Sequence, residues 1–149
     1  MNNIFDQATV ANINSRLEKL QPDSKALWGK MNVAQMLSHI QVPMEVALGD
    51  KKLKRTLIGL LFGRIAREKL FTEKPFPENL PTDPSFIRKG EHNFGEEKQK
   101  VTLLINRFVS GGESGLSQLP HPFFGKLTAT EWGTSLWKHL DHHLRQFSV

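Results

Sequence analysis

TATEWGTSLWKHLDHHLRQF, residues 128–147, carries the clearest helical pattern in the chain. Thr128 and Glu131 have the spacing of a capping box, in which each side chain bonds the backbone N–H of the other residue. Behind them, large apolar side chains recur every three or four residues, which is the period of one face of an α-helix. These residues are Trp132, Leu136, Leu140, Leu144 and Phe147. We therefore predict an amphipathic helix that begins after Thr128 and runs toward the C-terminus.

Two earlier stretches show the same period. The first begins after Asp6, a candidate N-cap, and ends before Pro22. The second has a defined start, because Asn32 and Gln35 form a capping box of the Asn/Gln kind, and Gly49 suits its C-terminal end. The predicted inward-facing residues are Val10, Ile13, Leu17 and Leu20 in the first helix, and Val33, Met36, Leu37, Ile40, Met44 and Ala47 in the second.

A proline interrupts the second pattern. Pro43 has no N–H to donate to the carbonyl four residues before it, which belongs to His39. We predict a kink beside His39.

A third helix runs from about Glu91 to Ser110, and residues 51–90 connect it to the second. Its inward-facing residues are Phe94, Val101, Leu104, Ile105 and Phe108. The connection begins with a basic amphipathic stretch and continues with four prolines in the ten residues 75–84, which predict extended or turn-like chain. Four amphipathic helices without strand-period alternation predict an all-α fold, a four-helix bundle with one long crossover between helices two and three.

Composition limits the class of protein. A chain of 149 residues and 17.0 kDa is the size of one domain, here residues 1–149, and its hydrophobic fraction of 38% is that of a soluble globular protein. We expect a cytoplasmic protein, since no apolar stretch is long enough to span a bilayer and the start lacks the features of a secretion signal. With no cysteine, a metal must be bound by histidines and carboxylates.

The net charge of +5 is concentrated in one segment. Between Lys51 and Lys74 there are eight basic and two acidic residues, whereas the rest of the chain carries 12 basic and 13 acidic residues. The segment holds only Phe62 and Phe71 for base stacking, so no nucleic acid is expected as a partner. We interpret it as the solvated face of a connecting helix. The segment also has an apolar row, Leu53, Leu57, Leu61 and Ile65. This row keeps an anionic small substrate or a membrane surface open as a partner, although no stable membrane association is expected.

Three of the six histidines lie on the last predicted helix. His139 and His143 are one turn apart on its inward face, where two imidazoles can reach one metal ion, whereas His142 falls on the polar side with Lys138 and Arg145. A zincin metalloprotease needs Glu directly after the first histidine, and Leu140 stands there instead, which disfavours that class.

A third ligand has to come from another helix. His39 lies among apolar residues of the second helix and is the natural candidate. Three neutral imidazoles leave coordination positions open, as catalytic sites do. The alternative is that each is a core histidine whose ring nitrogens are hydrogen-bonded within the protein. For His121, two positions stay open: it lines the site or lies at the surface.

Three segments carry a resemblance to a known family. WGKMNVAQMLSHI (28–40), HPFFGKLTATEW (121–132) and HLDHHLRQF (139–147) resemble an uncharacterised domain family of the DinB-like superfamily, which contains the bacillithiol transferases. The resemblance implies a bundle of up-down-down-up topology, in which the second and third helices run parallel. It implies a divalent metal, nickel or zinc before iron or manganese, held by His39, His139 and His143. Relatives continue the last motif as HHRGQ, so Arg145 is displaced by one position here.

Three function hypotheses follow. The first is a metal-dependent enzyme, by resemblance a thiol S-transferase or hydrolase acting on a small molecule such as a low-molecular-weight thiol. The candidates for a general base are Glu45, His121 and His142. The second is a non-catalytic binding or oligomerisation module, such as a homodimer, with a vestigial site. The third is contact of the segment from Lys51 to Lys74 with anionic membrane or nucleic acid.

Overall fold

The computed structural model describes residues 1–70 and 72–149. For residues 69 and 70 it describes the backbone only. Within the described part the chain forms helices and no β-strand, so the predicted all-α class is confirmed. Its five α-helices are α1 (Gln7–Lys19), α2 (Val33–Leu48), α3 (Leu57–Leu70), α4 (Phe94–Gly111) and α5 (Ala129–Gln146). Single 3₁₀ turns at Pro84–Phe86 and Glu113–Gly115 lie in the connections. The helix α3 occupies the basic stretch.

Both predicted capping boxes are present. The Asn32 side chain accepts from the Gln35 backbone N–H (2.8 Å), and the Gln35 side chain accepts in return from the N–H of Asn32 (3.1 Å). Thr128 and Glu131 make the same exchange at the start of α5. Gly49 ends α2 in the left-handed conformation, which costs a glycine little. The helices that carry the histidines therefore have starts fixed by local sequence.

The start of α1 differs from the prediction. Asp6 occupies the N-cap position, but its side chain makes no capping hydrogen bond. Asn3 organises this end instead, because its side chain accepts from the N–H of Phe5 and donates to the carbonyl of Thr130. The chain entry to α1 is thereby tied to the first turn of α5.

The core lies between α1, α2, α4 and α5. Both α1 and α2 pack against α4 and α5. In α2, 12 of 16 residues are buried, which makes it the most enclosed helix. The predicted inward faces of all four helices are buried, with Phe94 partly so. Pro43 is among the buried residues of α2, and the kink beside His39 stays a prediction.

Polar contacts join α2 to α4 at both ends. Near their N-terminal ends, the side chain of Gln35 donates to the carbonyl of Gly90 (3.0 Å), three residues before the Asn93 N-cap of α4. At their C-terminal ends, Arg107 pairs with Asp50.

Equivalent contacts join α1 to α5. The N–H of Ile4, just before α1, donates to the carbonyl of Gly133 in the first turn of α5 (3.2 Å). Near the other end, Arg16 pairs with Asp141 (2.8 Å). These bonds hold α5 against α1 along its length.

One face of α5 was predicted wrongly. The side chains of Lys138 and His142 are only 2% and 7% exposed, although the sequence placed them on a polar side. Residues 72–76 cover them: Lys138 donates to the carbonyls of Thr72 (2.5 Å) and Lys74 (3.0 Å), and the ring of Phe76 contacts His142. Helical period separates the faces of a helix, but it does not tell how many of them the rest of the chain will cover.

The connection between α2 and α4 agrees in outline with the prediction from the sequence. Residues 75–83 are extended or turn-like, as the prolines predict. Of the two aromatic residues noted in the basic segment, Phe62 is exposed, whereas Phe71 lies outside the described residues, as does the side chain of Lys69. None of the described helices has the length and apolar character needed to cross a membrane.

A buried carboxylate at the α2–α4 contact makes stability dependent on pH. Glu97 accepts from the side chains of Gln41 (2.6 Å) and Lys100 (3.0 Å). Burial raises the pKa of Glu97, but these hydrogen bonds outweigh it and bring the pKa below its ordinary value. Its stabilising contribution is therefore complete above about pH 4.5 and is lost as the pH falls through the lower, folded-state pKa.

We expect Glu97→Gln to lower the free energy of unfolding at pH 7 by about 1–3 kcal/mol, because a hydrogen bond to a charged group is lost. Urea unfolding between pH 3 and 7 measures it, with Glu96→Gln on the exposed side of the same turn as the control. The deficit should shrink as the pH falls below 4. A deficit that is constant over this range would contradict the role of the charge.

Candidate metal centre

Three histidines from two helices meet at one point in the core. His39 comes from the middle of α2, and His139 and His143 come from successive turns of α5. One ring nitrogen of each lies within 4.8 Å of the other two. The sequence predicted this grouping, and the structure brings the three side chains together. His39 and His143 are buried at 2% and 6% exposure, whereas His139 is partly exposed.

The Nε2 atoms are the ones that converge. The Nε2 of His139 lies 2.9 Å from Nε2 of His39 and 3.1 Å from Nε2 of His143. In a neutral imidazole one ring nitrogen carries a proton and the other a lone pair. A single proton on Nε2 of His139 can therefore bond only one of its two neighbours.

Hydrogen bonds behind the rings fix where two of the protons lie. His39 Nδ1 is 2.9 Å from the carbonyl oxygen of Phe86, an acceptor only, so this nitrogen donates. His143 Nδ1 is 2.8 Å from Oε1 of Gln146, whose amide nitrogen in turn donates to the carbonyl of Trp28 (2.7 Å). With Nδ1 protonated in both rings, His39 and His143 direct Nε2 lone pairs at the same point.

This arrangement fits a metal ion. Metal-bound histidines usually donate their outer N–H to a carbonyl or carboxylate, which orients the ring and raises its basicity. Nitrogens in a tetrahedral zinc site lie about 3.3 Å apart, given Zn–N bonds of about 2.0–2.1 Å. The observed separations of 2.9 and 3.1 Å are close to that value. The residues present are thus suited to hold a divalent cation.

The surroundings keep the three rings neutral. Burial lowers the pKa of His39, and it lowers the pKa values of His139 and His143 well below the ordinary range. The positive charge that each ring would add also lowers the pKa of its neighbours. Neutral imidazole is the form that binds metal, so no proton has to be removed from the rings at pH 7.

His121 lies in the core beside this centre, in contact with the rings of Phe86, Phe124 and Trp132. Its Nδ1 accepts from the backbone N–H groups of Phe123 and Phe124, so the proton is on Nε2. Burial lowers the pKa of His121 to about 3. It is therefore a neutral hydrogen-bond donor at pH 7, which disfavours it as a general base.

The other two base candidates lie outside the cluster. Glu45 pairs with Lys51 (3.2 Å) at a groove between α2 and α4. His142 is buried against Trp28 and Phe76 on another side of α5.

Sequence reasoning missed an acidic residue whose charge acts on His121. Asp83 caps the 3₁₀ turn that ends at Phe86, and its Oδ1 accepts from the backbone and hydroxyl of Ser85. Its Oδ2 is buried and has no hydrogen-bond partner among the described residues. The negative charge of Asp83 acts on His121, whose pKa it raises in opposition to burial. An Asp before Pro-Ser is typical of any turn, so no sequence pattern distinguishes this position.

Gln146 was missed as well. It lies three residues after His143, the spacing at which helical side chains meet, and this spacing could have identified it. The carbonyl of Phe86, by contrast, reaches His39 from the connection between helices, and no local sequence pattern indicates this contact.

Comparison with known proteins gives a family match over nearly the whole chain. A family model described as "Protein of unknown function (DUF1569)" matches residues 5–149. No curated protein matches the chain, and no solved structure does.

The hydrogen bond behind His143 gives a test of the centre. We expect Gln146→Leu to weaken the affinity for zinc by about 10–100-fold, because the acceptor that orients the ring is lost. Gln146→Glu keeps an acceptor and should lose much less. Competition with a chromophoric chelator measures both affinities, and equal weakening by the two variants would contradict an orienting role for Oε1.

Proposed function

The chain belongs to the DUF1569 family, whose description names no activity, and we propose its function from the geometry of the histidine cluster. The proposal is a divalent-metal-dependent enzyme that catalyses thiol S-transfer or hydrolysis. The observation that carries it is the convergence of three Nε2 atoms, two of them unprotonated because their Nδ1 atoms donate elsewhere. The substrate would be a small molecule, such as a low-molecular-weight thiol.

The proposed architecture is a DinB-like bundle of α1, α2, α4 and α5, with α3 in the crossover. Contacts at equivalent ends support parallel pairing of α2 with α4 and of α1 with α5. The contact of Lys98 at the start of α4 with the carbonyls of Glu18 and Leu20 supports an antiparallel α1–α4 pair. Together these directions correspond to the up-down-down-up topology that the resemblance implies.

His39, His139 and His143 are the proposed metal ligands. Neutral imidazoles suit nickel and zinc, with iron and manganese as the next candidates. A divalent ion held by three neutral ligands acts as a Lewis acid and favours deprotonation of a thiol or water. His39 and His143 are buried, whereas His139 is partly exposed and is the ligand that a substrate would reach first.

Asp83 is the proposed proton acceptor. Its Oδ2 is buried without a partner, and its Oδ1 is held by Ser85, so the carboxylate is oriented with one free oxygen. Its turn also carries the carbonyl that orients His39. His121 would contribute a neutral N–H donor, because its proton is fixed on Nε2.

Arg145 is not proposed as a binding site for an anionic thiol. Its guanidinium donates to Asp141 (2.9 Å) and to the carbonyl of Phe76 (3.4 Å). The displacement of this arginine within the last motif thus coincides with a structural role. The cytoplasmic location and the homodimer expected from the sequence stay predictions.

A structural metal site is the second candidate. Its support is the burial of His39 and His143, since closed structural sites exclude solvent. The two candidates differ in turnover, because a structural ion raises stability without supporting a reaction.

Elemental analysis tests the ligands. Untagged protein purified without chelator should hold about one nickel, zinc, iron or manganese ion per chain, and the melting temperature should fall when EDTA removes it. His39→Ala or His143→Ala should abolish both effects, whereas His92→Ala, which alters a histidine outside the cluster, should keep them. Retention of tight metal binding in His143→Ala would exclude this ligand.

Turnover tests the enzyme proposal. We expect the metal-loaded protein to transfer thiols to electrophilic substrates, or to hydrolyse activated esters and amides, and Asp83→Asn to lower kcat by roughly 10²–10⁴-fold with metal content unchanged. Glu45→Gln, a carboxylate outside the cluster, is the matched control. Bound metal without any turnover across such a panel would favour the structural site, and full activity of Asp83→Asn would exclude Asp83 as the acceptor.

A further inference from the structure

The helix α3 presents large apolar side chains to solvent. Six of them are more than half exposed within nine residues, and Leu57 and Leu61 reach 79% and 73%. We call this set the apolar face of α3. It consists of Leu57, Ile58, Leu60, Leu61, Phe62 and Ile65. Contiguous exposed apolar surface of this kind marks an interaction site in a soluble protein.

The opposite side of α3 already packs on the protein. Gly59 and Gly63 lie one turn apart and are buried against the backbone of Phe123, and a Cβ atom on Gly59 would come within 2.8 Å of Phe123 Cα. Arg67 adds a bidentate ion pair with Glu131 at the start of α5. This attachment requires glycine, so it determines which side of α3 faces outward. The apolar face is therefore the outer face.

Three basic side chains lie before or within the apolar face. Lys52 and Lys54 lie in the chain just before α3, and Arg64 lies within it, and all three are exposed. Within the described part of the chain they form no ion pair. The outer surface of α3 thus combines apolar area with three exposed basic side chains and one exposed acidic one, Glu68, which leaves a net positive charge.

We propose that α3 binds the surface of an anionic lipid bilayer, with its axis in the plane of the interface. The apolar face enters the boundary between headgroups and acyl chains, while Lys52, Lys54 and Arg64 reach the anionic headgroups. Arginine and lysine side chains can extend to the headgroup level while their stems lie on apolar surface. One helix and three cations give reversible, peripheral binding, which agrees with the expectation that no stable membrane association occurs.

Charge favours a lipid surface over a second copy of the chain. In a dimer through the apolar face each copy would bring the same excess of positive charge, three exposed basic side chains against the single exposed acidic one of α3, Glu68, and surfaces of like net charge repel. An anionic bilayer supplies the opposite charge along the whole helix. The proposal is independent of the metal centre.

Co-sedimentation with vesicles tests this. We expect the full-length protein to bind vesicles of 30% phosphatidylserine and 70% phosphatidylcholine, and to bind phosphatidylcholine alone at least tenfold more weakly. The double variant Leu61→Gln, Phe62→Gln should lose roughly tenfold in affinity or more, because two apolar side chains no longer leave water. Leu103→Gln, which changes a 55% exposed leucine of α4, is the matched control and should bind as the wild type does.

A second variant separates charge from apolar contact. Lys52→Gln, Lys54→Gln should weaken binding by roughly fivefold per lysine, with a smaller salt dependence. All substituted residues are exposed, so circular dichroism should show an unchanged fold. Absence of binding to the anionic vesicles at low salt would overturn the proposal. So would a dimer in analytical ultracentrifugation that Leu61→Gln, Phe62→Gln dissociates, since the apolar face would then bind a second copy.

Discussion

Two hydrogen bonds on the outer side of the histidine cluster determine the chemistry of its inner side. Because His39 donates from Nδ1 to the carbonyl of Phe86, and His143 donates from Nδ1 to Gln146, both rings direct lone pairs at the Nε2 of His139. Three imidazoles cannot satisfy one another in this arrangement, since too few protons lie between them. A divalent cation would accept a lone pair from each of them. The packing of α2 against α5 is what brings these groups together, so the fold and the centre depend on the same contact.

The helix starts and the inward-facing histidines could be predicted from the sequence, because local signals exist for them. The capping boxes at Asn32 and Thr128 give the starts of α2 and α5, and the helical period then places His39, His139 and His143 on inward faces. What covers a helix is not a local property. Lys138 and His142 were assigned to a polar side, yet residues 72–76 cross over them. The acceptor from Phe86 likewise comes from a connection with no periodic pattern.

The helix α3 shows the same division between local and tertiary information. The spacing of Leu57, Leu61 and Ile65 indicates an apolar face. Such a face usually packs against the core. Here Gly59 and Gly63 allow a closer approach on the other side, so the glycine side packs inward and the leucines face outward. Close backbone approach is a tertiary property, and the sequence alone does not show which face uses it.

The tautomers and ligand atoms of the histidines can be observed directly by long-range ¹H–¹⁵N NMR on uniformly labelled protein. The metal-free protein should show His39 and His143 protonated at Nδ1, and addition of one equivalent of zinc should shift the Nε2 resonances of His39, His139 and His143 together. The resonances of His92, His121 and His142 should stay in place. Protonation of His39 or His143 at Nε2, or a zinc-induced shift at another set of histidines, would contradict the account.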